Sequence, residues 1–243
     1  IRAESIVGRT NVEVTEPFWF RDEFGEDSLG RYIGRTTSCV ISDGSLAFNV
    51  SNSSIRANDI IKNPTIKCNF KHNAEGTSVL TLLHGVQEFH IYDPHSKAGR
   101  KYYTIIKRNA VEIRKVGNSM DYSSDLSKTY ISNLFEPEVE YQISIIWIAD
   151  DTFDVRVVRV SDSAVVVDQR IVDSNTSKVG IFNTGWVGIG VSGLQYNWSV
   201  NSLDISGTRV YNKPIHRGAM LETYHDGTQE VVGTTYINDM NWD

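Results

Sequence analysis

Apolar and polar residues alternate with a period of two along much of the chain. Tyr141, Ile143, Ile145 and Trp147 share one parity, and Phe153, Val155 and Val157 alternate with Asp154, Arg156 and Val158. Side chains of a strand point alternately to its two faces, so this spacing puts one face of a sheet in a core and the other toward solvent. Runs rich in Val, Ile, Thr, Tyr and Phe, punctuated by Gly, Asn, Asp and Ser, predict strands at 18–24, 39–42, 45–50, 55–57, 65–71, 78–83, 88–92, 102–108, 110–116, 140–148, 152–160, 164–171, 179–182, 186–191 and 198–205. Helical periodicity is hard to find. Turn chemistry supports hairpins at Ser42-Asp43-Gly44, Arg108-Asn109, Asp150-Asp151 and Ser161-Asp162-Ser163. Many short strands with no helices between them imply an all-β antiparallel sandwich or barrel.

The ends differ from the middle. Residues 1–17 are polar and weakly patterned and read as an N-terminal arm; 18–207 hold the sandwich; 208–243, with Pro214, read as a C-terminal arm or a partner-docking segment. A start at Ile1 without Met reads as a processed or partial product.

The strand order resembles concanavalin A-like, laminin-G-like jelly-roll domains over roughly residues 18–207. The resemblance rests on Phe20-Arg21-Asp22-Glu23-Phe24 followed by Ser28-Leu29-Gly30, and on the strand pair 102–106 and 111–116. The meander of 140–145 with 153–157 and the closing strands 177–181 and 199–205 complete it. It implies an antiparallel jelly roll with extended arms. Domains of this type occur in carbohydrate-binding proteins, polysaccharide-active enzymes, and bacteriophage tail fibres and capsid decorations. The expectation is therefore a non-catalytic module on a virion or extracellular surface, binding glycans or neighbouring subunits, with homo-oligomerisation, for example a trimer. A polysaccharide lyase or glycoside hydrolase on the same scaffold, and a purely structural assembly protein, stay open as alternatives.

Charge narrows the partners. With 243 residues, a net charge of −6 and a pI near 5.5, the chain lacks the basic face that a nucleic acid or an anionic membrane would require. No run approaches the length of a membrane span. Cys39 and Cys68 both fall in strands and read as small buried hydrophobes, with a disulfide between them left open. Sequons at Asn49, Asn52, Asn175 and Asn197 matter only for a chain secreted by a eukaryotic cell.

Sugar recognition requires an exposed aromatic beside hydrogen-bonding side chains. Trp186, at the edge of the loop Asn183-Thr184-Gly185, is the first candidate, then Tyr92 and Tyr196, with His90 and Arg100 as polar companions. Trp147, Trp19 and Trp198 are assigned to the core. His90, Tyr92 and Arg100 carry the lyase reading, since a Tyr base near an Arg could abstract a proton beside a carboxylate. The run Glu136-Pro137-Glu138-Val139-Glu140 has the alternating acids of a glycosidase strand, but Pro137 makes it a loop. His90, Asp93 and His95 have metal-ligand side chains and read as a polar loop. Asp150, Asp151 and Asp173 are rim candidates for calcium, the one cofactor considered, because oxygen ligands suit a hard cation. No cofactor is otherwise expected.

Overall fold

The computed structural model describes residues 2–72, 78–87, 100–116, 123–130, 134–173, 181–193, 198–223 and 229–238. The strands are β1 (Arg2–Asp22), β2 (Tyr32–Gly34), β3 (Cys39–Ser42), β4 (Ser45–Phe48), β5 (Ser53–Ala57), β6 (Ile61–His72), β7 (Val79–Val86) and β8 (Lys101–Lys107). The chain continues with β9 (Ala110–Val116), β10 (Ser123–Tyr130), β11 (Glu140–Ala149), β12 (Thr152–Arg159), β13 (Val165–Val172), β14 (Thr184–Ser192), β15 (Trp198–Thr223) and β16 (Gln229–Asn238). Among the described residues, the only helical turns are two short 3-10 segments, Ser28–Arg31 and Thr36–Ser38.

Two layers result. One follows the order β10-β9-β8-β7-β14-β5-β2, the other β3-β4-β15-β6-β11-β12-β13, with β1 and β16 also paired to β15. The pairings are antiparallel. β14 belongs to both layers. Thr184 and Gly185 pair with Lys62 and Ile61 of β6, and from Trp186 onward the strand pairs with β7, then also with β5. The crossing demands close backbone approach. A Cβ on Gly85, whose φ is +58°, would lie 1.9 Å from the Phe182 carbonyl oxygen, and one on Gly185 would lie 2.5 Å from Gly85. Only glycine fits both places.

The core lies between the layers and is made by the period-two residues. Tyr141, Ile143 and Ile145 of β11 and Phe153, Val155 and Val157 of β12 meet Leu80 and Leu82 of β7, Ile106 of β8 and Val111 and Ile113 of β9. Each such side chain is fully buried, a contribution of about 1.5–3 kcal/mol apiece. Phe70, Phe135, Tyr141 and Trp198 form one aromatic knot, with centroid separations of 5.0 to 6.4 Å. His84, Tyr102, Trp147 and Phe153 form another. β7 is buried along its whole length. Its other face carries a second cluster of Val79, Leu83 and Val86 with Tyr103, Ile105 and Val116.

Residues 17–209 form the larger of two compact units; residues 1–16 and 210–243 form the second. Its described residues lie in β1, β15 and β16. Residues 215–223 of β15 pair in antiparallel register with β16, whose Val231, Val232, Thr234, Thr235, Tyr236 and Ile237 favour extended backbone. β10 was not foreseen: its sequence is polar, as suits an edge strand, and among the described residues it pairs only with β9, with a bulge between Asp125 and Ser127. Ile181 and Phe182 precede β14 outside any strand, and the strand expected at 88–92 lies outside the described residues. Cys39 and Cys68 are free buried thiols. Burial alone pushes the Cys39 thiol up to about 12 and Cys68 higher still.

Candidate functional site: a polar ladder beside Trp19

The outward face of the layer containing β6, β11 and β15 is lined by polar side chains at strict intervals. On β6, Lys67, Asn69 and Lys71 are the outward residues, alternating with the buried Ile66, Cys68, Phe70 and His72. Register converts this alternation into rungs. Ser199, Lys71 and Glu140 form the first, Ser202, Asn69 and Gln142 the second, and Asp204, Lys67 and Ser144 the third. A bulge between Val200 and Ser202 displaces Asn201 out of the pairing. Its side chain is used to tie the ladder: Asn201 Nδ2 donates to Glu140 Oε1 at 2.8 Å, and Ser45 Oγ donates to Asn201 Oδ1 at 2.8 Å. Gln142 Nε2 donates to Asn69 Oδ1 at 2.8 Å. These bonds hold the amides in fixed orientations on a rigid sheet.

β1 closes one side. Phe18 and Phe20 turn inward against the core, so Trp19 and Arg21 share the outward face. Arg21 lines a groove of about 250 Å³ together with Lys67, Asn69, Gln142, Ser202 and Asp204. Trp19, two residues away on the same face of the same strand, is 67% exposed. A wide indole left in water on the face that also carries amide, hydroxyl, carboxylate and ammonium groups supplies the elements that stacking on a sugar ring with hydrogen bonds to its hydroxyls requires.

Trp19 is a correction to its expected place in the core. Period two allowed only one parity of 18–20 to face inward, and two phenylalanines outvote one tryptophan. Trp147 and Trp198 are buried as expected. Trp186 is half-buried. The Arg56 guanidinium sits 4.1 Å over its ring, and the indole packs against the second apolar cluster, so a face that a sugar would use is taken by a cation–π contact. Burial lowers the Arg56 pKa from its ordinary value. Arg100 is exposed, its guanidinium 6.0 Å from the Phe182 ring. Tyr92, Tyr196, His90, Asp93 and His95 lie outside the described residues.

The calcium candidates separate. Asp173 is no rim residue. It is fully buried, ion-paired with the equally buried Lys115, and accepts the Tyr102 hydroxyl at 2.6 Å. Burial, then the bond to Asp173, raise the Tyr102 pKa. Asp150 accepts Asn183 Nδ2 at 2.6 Å, and Asp151 accepts the Thr152 hydroxyl at 2.8 Å. Among the described residues no three His, Cys, Asp or Glu side chains gather as a metal cluster. The acidic run also disperses. Glu136 bonds Arg159 at 3.0 Å, while Glu140 bonds Asn201. No helix among the described residues is long and apolar enough to cross a membrane.

Among solved structures, a Bacillus subtilis protein of unknown function with a galectin-like fold superposes with a TM-score of 0.59, at 9% identity over 82% of this chain and 99% of that one. The fold is the concanavalin A-like jelly roll. The calcium-bound exoplasmic/lumenal domain of VIP36 is similar at a TM-score of 0.54, 10% identity, and 77% and 88% coverage of this chain and that one. The CBM2 module of the evolved Dit of Lactobacillus casei BL23 phage J-1 is similar at 0.54, 10% identity, and 82% and 98% coverage. No protein-family model and no curated protein matches the chain. At these identities the likeness speaks for the jelly roll itself, and the site must be argued from this chain's own residues.

Proposed function

We propose that this jelly roll is a non-catalytic glycan-binding module acting on a virion or extracellular surface. The observation that carries it is Trp19, 67% exposed on the same face of β1 as Arg21, the latter lining the Asn69–Gln142–Asp204 groove. An exposed indole of this size has an energetic cost that packing elsewhere would have relieved, and stacking against a pyranose face relieves it. The amides of Asn69 and Gln142 offer both donors and acceptors, which match the dual character of a sugar hydroxyl. Binding fits better than catalysis. A glycosidase needs two carboxylates facing one another across the scissile bond, whereas Glu136 and Glu140 are held by Arg159 and by Asn201. The surface setting draws on the phage Dit module, which has the same fold.

The test is a glycan array followed by titration calorimetry on the best hit. Trp19→Ala should weaken binding about tenfold or more, from ~1.5 kcal/mol of lost stacking. Its stability should stay within ~0.5 kcal/mol of the parent, as for an exposed position. Binding unchanged in both Trp19→Ala and the Asn69→Ala/Gln142→Ala double variant would overturn the proposal. So would the absence of binding to any glycan.

A further inference from the structure

The groove beside Trp19 does not end at the ladder. On the same outward face, a second depression of about 540 Å³ is lined by Val40, Asp43, Ala47, Lys71, Glu138 and Ser199, among others. The register shows how the two connect. Ser199 pairs with Ala47 on one side and with Lys71 on the other, and Ala47 pairs with Val40. Ser199 and Lys71 of the first rung therefore line the larger depression, and Ser202, Asn69 and Gln142 of the second rung with Asp204 and Lys67 of the third line the groove with Arg21. Between them runs the hydrogen-bonded chain Ser45–Asn201–Glu140–Asn69–Gln142.

Two properties of this lane define a ligand. The first is length. Lys71 and Lys67 stand four residues apart on β6, about 13 Å at ~3.3 Å per residue, and the Val40–Ala47 wall widens the lane across the strands at Lys71. One sugar ring does not fill it. The second is charge. Lys71 pairs across strands with Glu140 and Lys67 with Asp204, while Arg21 adds a positive charge and Asp43 and Glu138 add negative ones. A groove that selects polyanions carries one sign of charge, which focuses its field; here the signs cancel rung by rung, and amides and hydroxyls supply the contacts between them.

We propose that the ligand is a neutral linear polysaccharide, bound by several consecutive sugar units lying along β6 from the depression at Lys71 to the groove lined by Lys67 and Arg21. This rests on the glycan-binding reading above and adds the form of the ligand: an internal stretch of chain, not a terminal sugar. Each end makes its own contacts, so affinity should climb with chain length until both depressions are filled.

The experiment is calorimetric titration of the full chain with neutral linear β-glucan, mannan, xylan and chitin oligosaccharides, each as monosaccharide, disaccharide and hexasaccharide. A sulfated hexasaccharide serves as the polyanion control. The expected result is at least a tenfold gain from disaccharide to hexasaccharide in one series and no preference for the sulfated chain. Ala47→Trp and Val40→Trp, which fill the larger depression, should both reduce that gain while leaving disaccharide binding in the groove with Arg21 intact. Equal affinity for disaccharide and hexasaccharide, a preference for the sulfated chain, or a hexasaccharide untouched by both variants would overturn the lane. Any of these outcomes, combined with loss of binding in Trp19→Ala, leaves the glycan-binding reading standing. Binding of no oligosaccharide at any length removes both.

Discussion

Breaking the Lys115–Asp173 pair gives the sharpest test of how the interior is built. Both side chains are 0% exposed. Lys115 Nζ lies 5.3 Å from the Phe182 ring centroid and 5.6 Å from that of Tyr102, and the Tyr102 hydroxyl donates to the same carboxylate oxygen that Lys115 meets. The two charges stay in the interior because each compensates the other. Asp173→Leu strands the ammonium among rings, and Lys115→Met leaves the carboxylate with mainly the tyrosine hydroxyl for a donor. Removing one partner of a buried pair costs about 3–5 kcal/mol. For a chain of this size that lowers the melting temperature by roughly 6–20 °C, at ~2–4 °C per kcal/mol. The double variant Lys115→Met/Asp173→Leu removes both charges and fills similar volume, so it should recover most of the loss and can exceed the parent by ~1–4 kcal/mol. Urea unfolding supplies the measurement, read as midpoints at unchanged slope. Single variants that each cost under ~1 kcal/mol would refute the reasoning, as would a double variant no better than the sum of its singles.

Two more predictions concern the same interior. Burial lowers the His84 pKa from 6.5 to about 3, so the folded state holds a neutral imidazole where the unfolded chain takes up a proton. Stability should therefore be full above pH 6.5 and fall by up to ~1.4 kcal/mol per unit as pH drops from 6.5 toward 3; His84→Leu should flatten that part of the unfolding-versus-pH curve, and an unchanged slope would show that the histidine is not the group titrating. Gly85→Ala should destabilise by at least ~2 kcal/mol in the same denaturation assay, because the new Cβ meets the Phe182 carbonyl at 1.9 Å and φ is +58°, whereas Gly30→Ala, with nothing within 4 Å, should stay within ~0.5 kcal/mol of the parent.

The jelly roll was legible because its information is local. Alternation at 141–157 and the turn at Asp43-Gly44 state which residues face inward without reference to any partner strand. What stayed hidden depends on register. Lys67, Asn69 and Lys71 look like ordinary solvent positions until β11 and β15 are laid beside them, and the bulge at Asn201 that links the ladder cannot be read from one strand. Asp173 shows the same limit from the opposite side. It follows a strand as a rim aspartate would, and only the arrival of Lys115 from β9, 58 residues away, makes it interior. β10 failed for a different reason: an edge strand needs little apolar alternation, so Ser123–Tyr130 carries no strand signal strong enough to see.

Trp19 was within reach of sequence reasoning, and the reason it was misplaced bears on where the function lies. Size and hydrophobicity favour burial of tryptophan, so a tryptophan in a strand is assigned to the core by default. In Phe18-Trp19-Phe20 the default conflicts with geometry, because burying Trp19 would expose both phenylalanines. The strand resolves the conflict by leaving the largest ring in water, which local consistency alone would select against. A strand that only had to pack would do better with Thr or Lys at that position. Trp186, by contrast, obeys the default in part and is held under Arg56. Among the described tryptophans the one that packing does not explain is thus also the one on the face of the polar groove, and the proposed glycan site on the β1–β15–β6–β11 face rests on this coincidence.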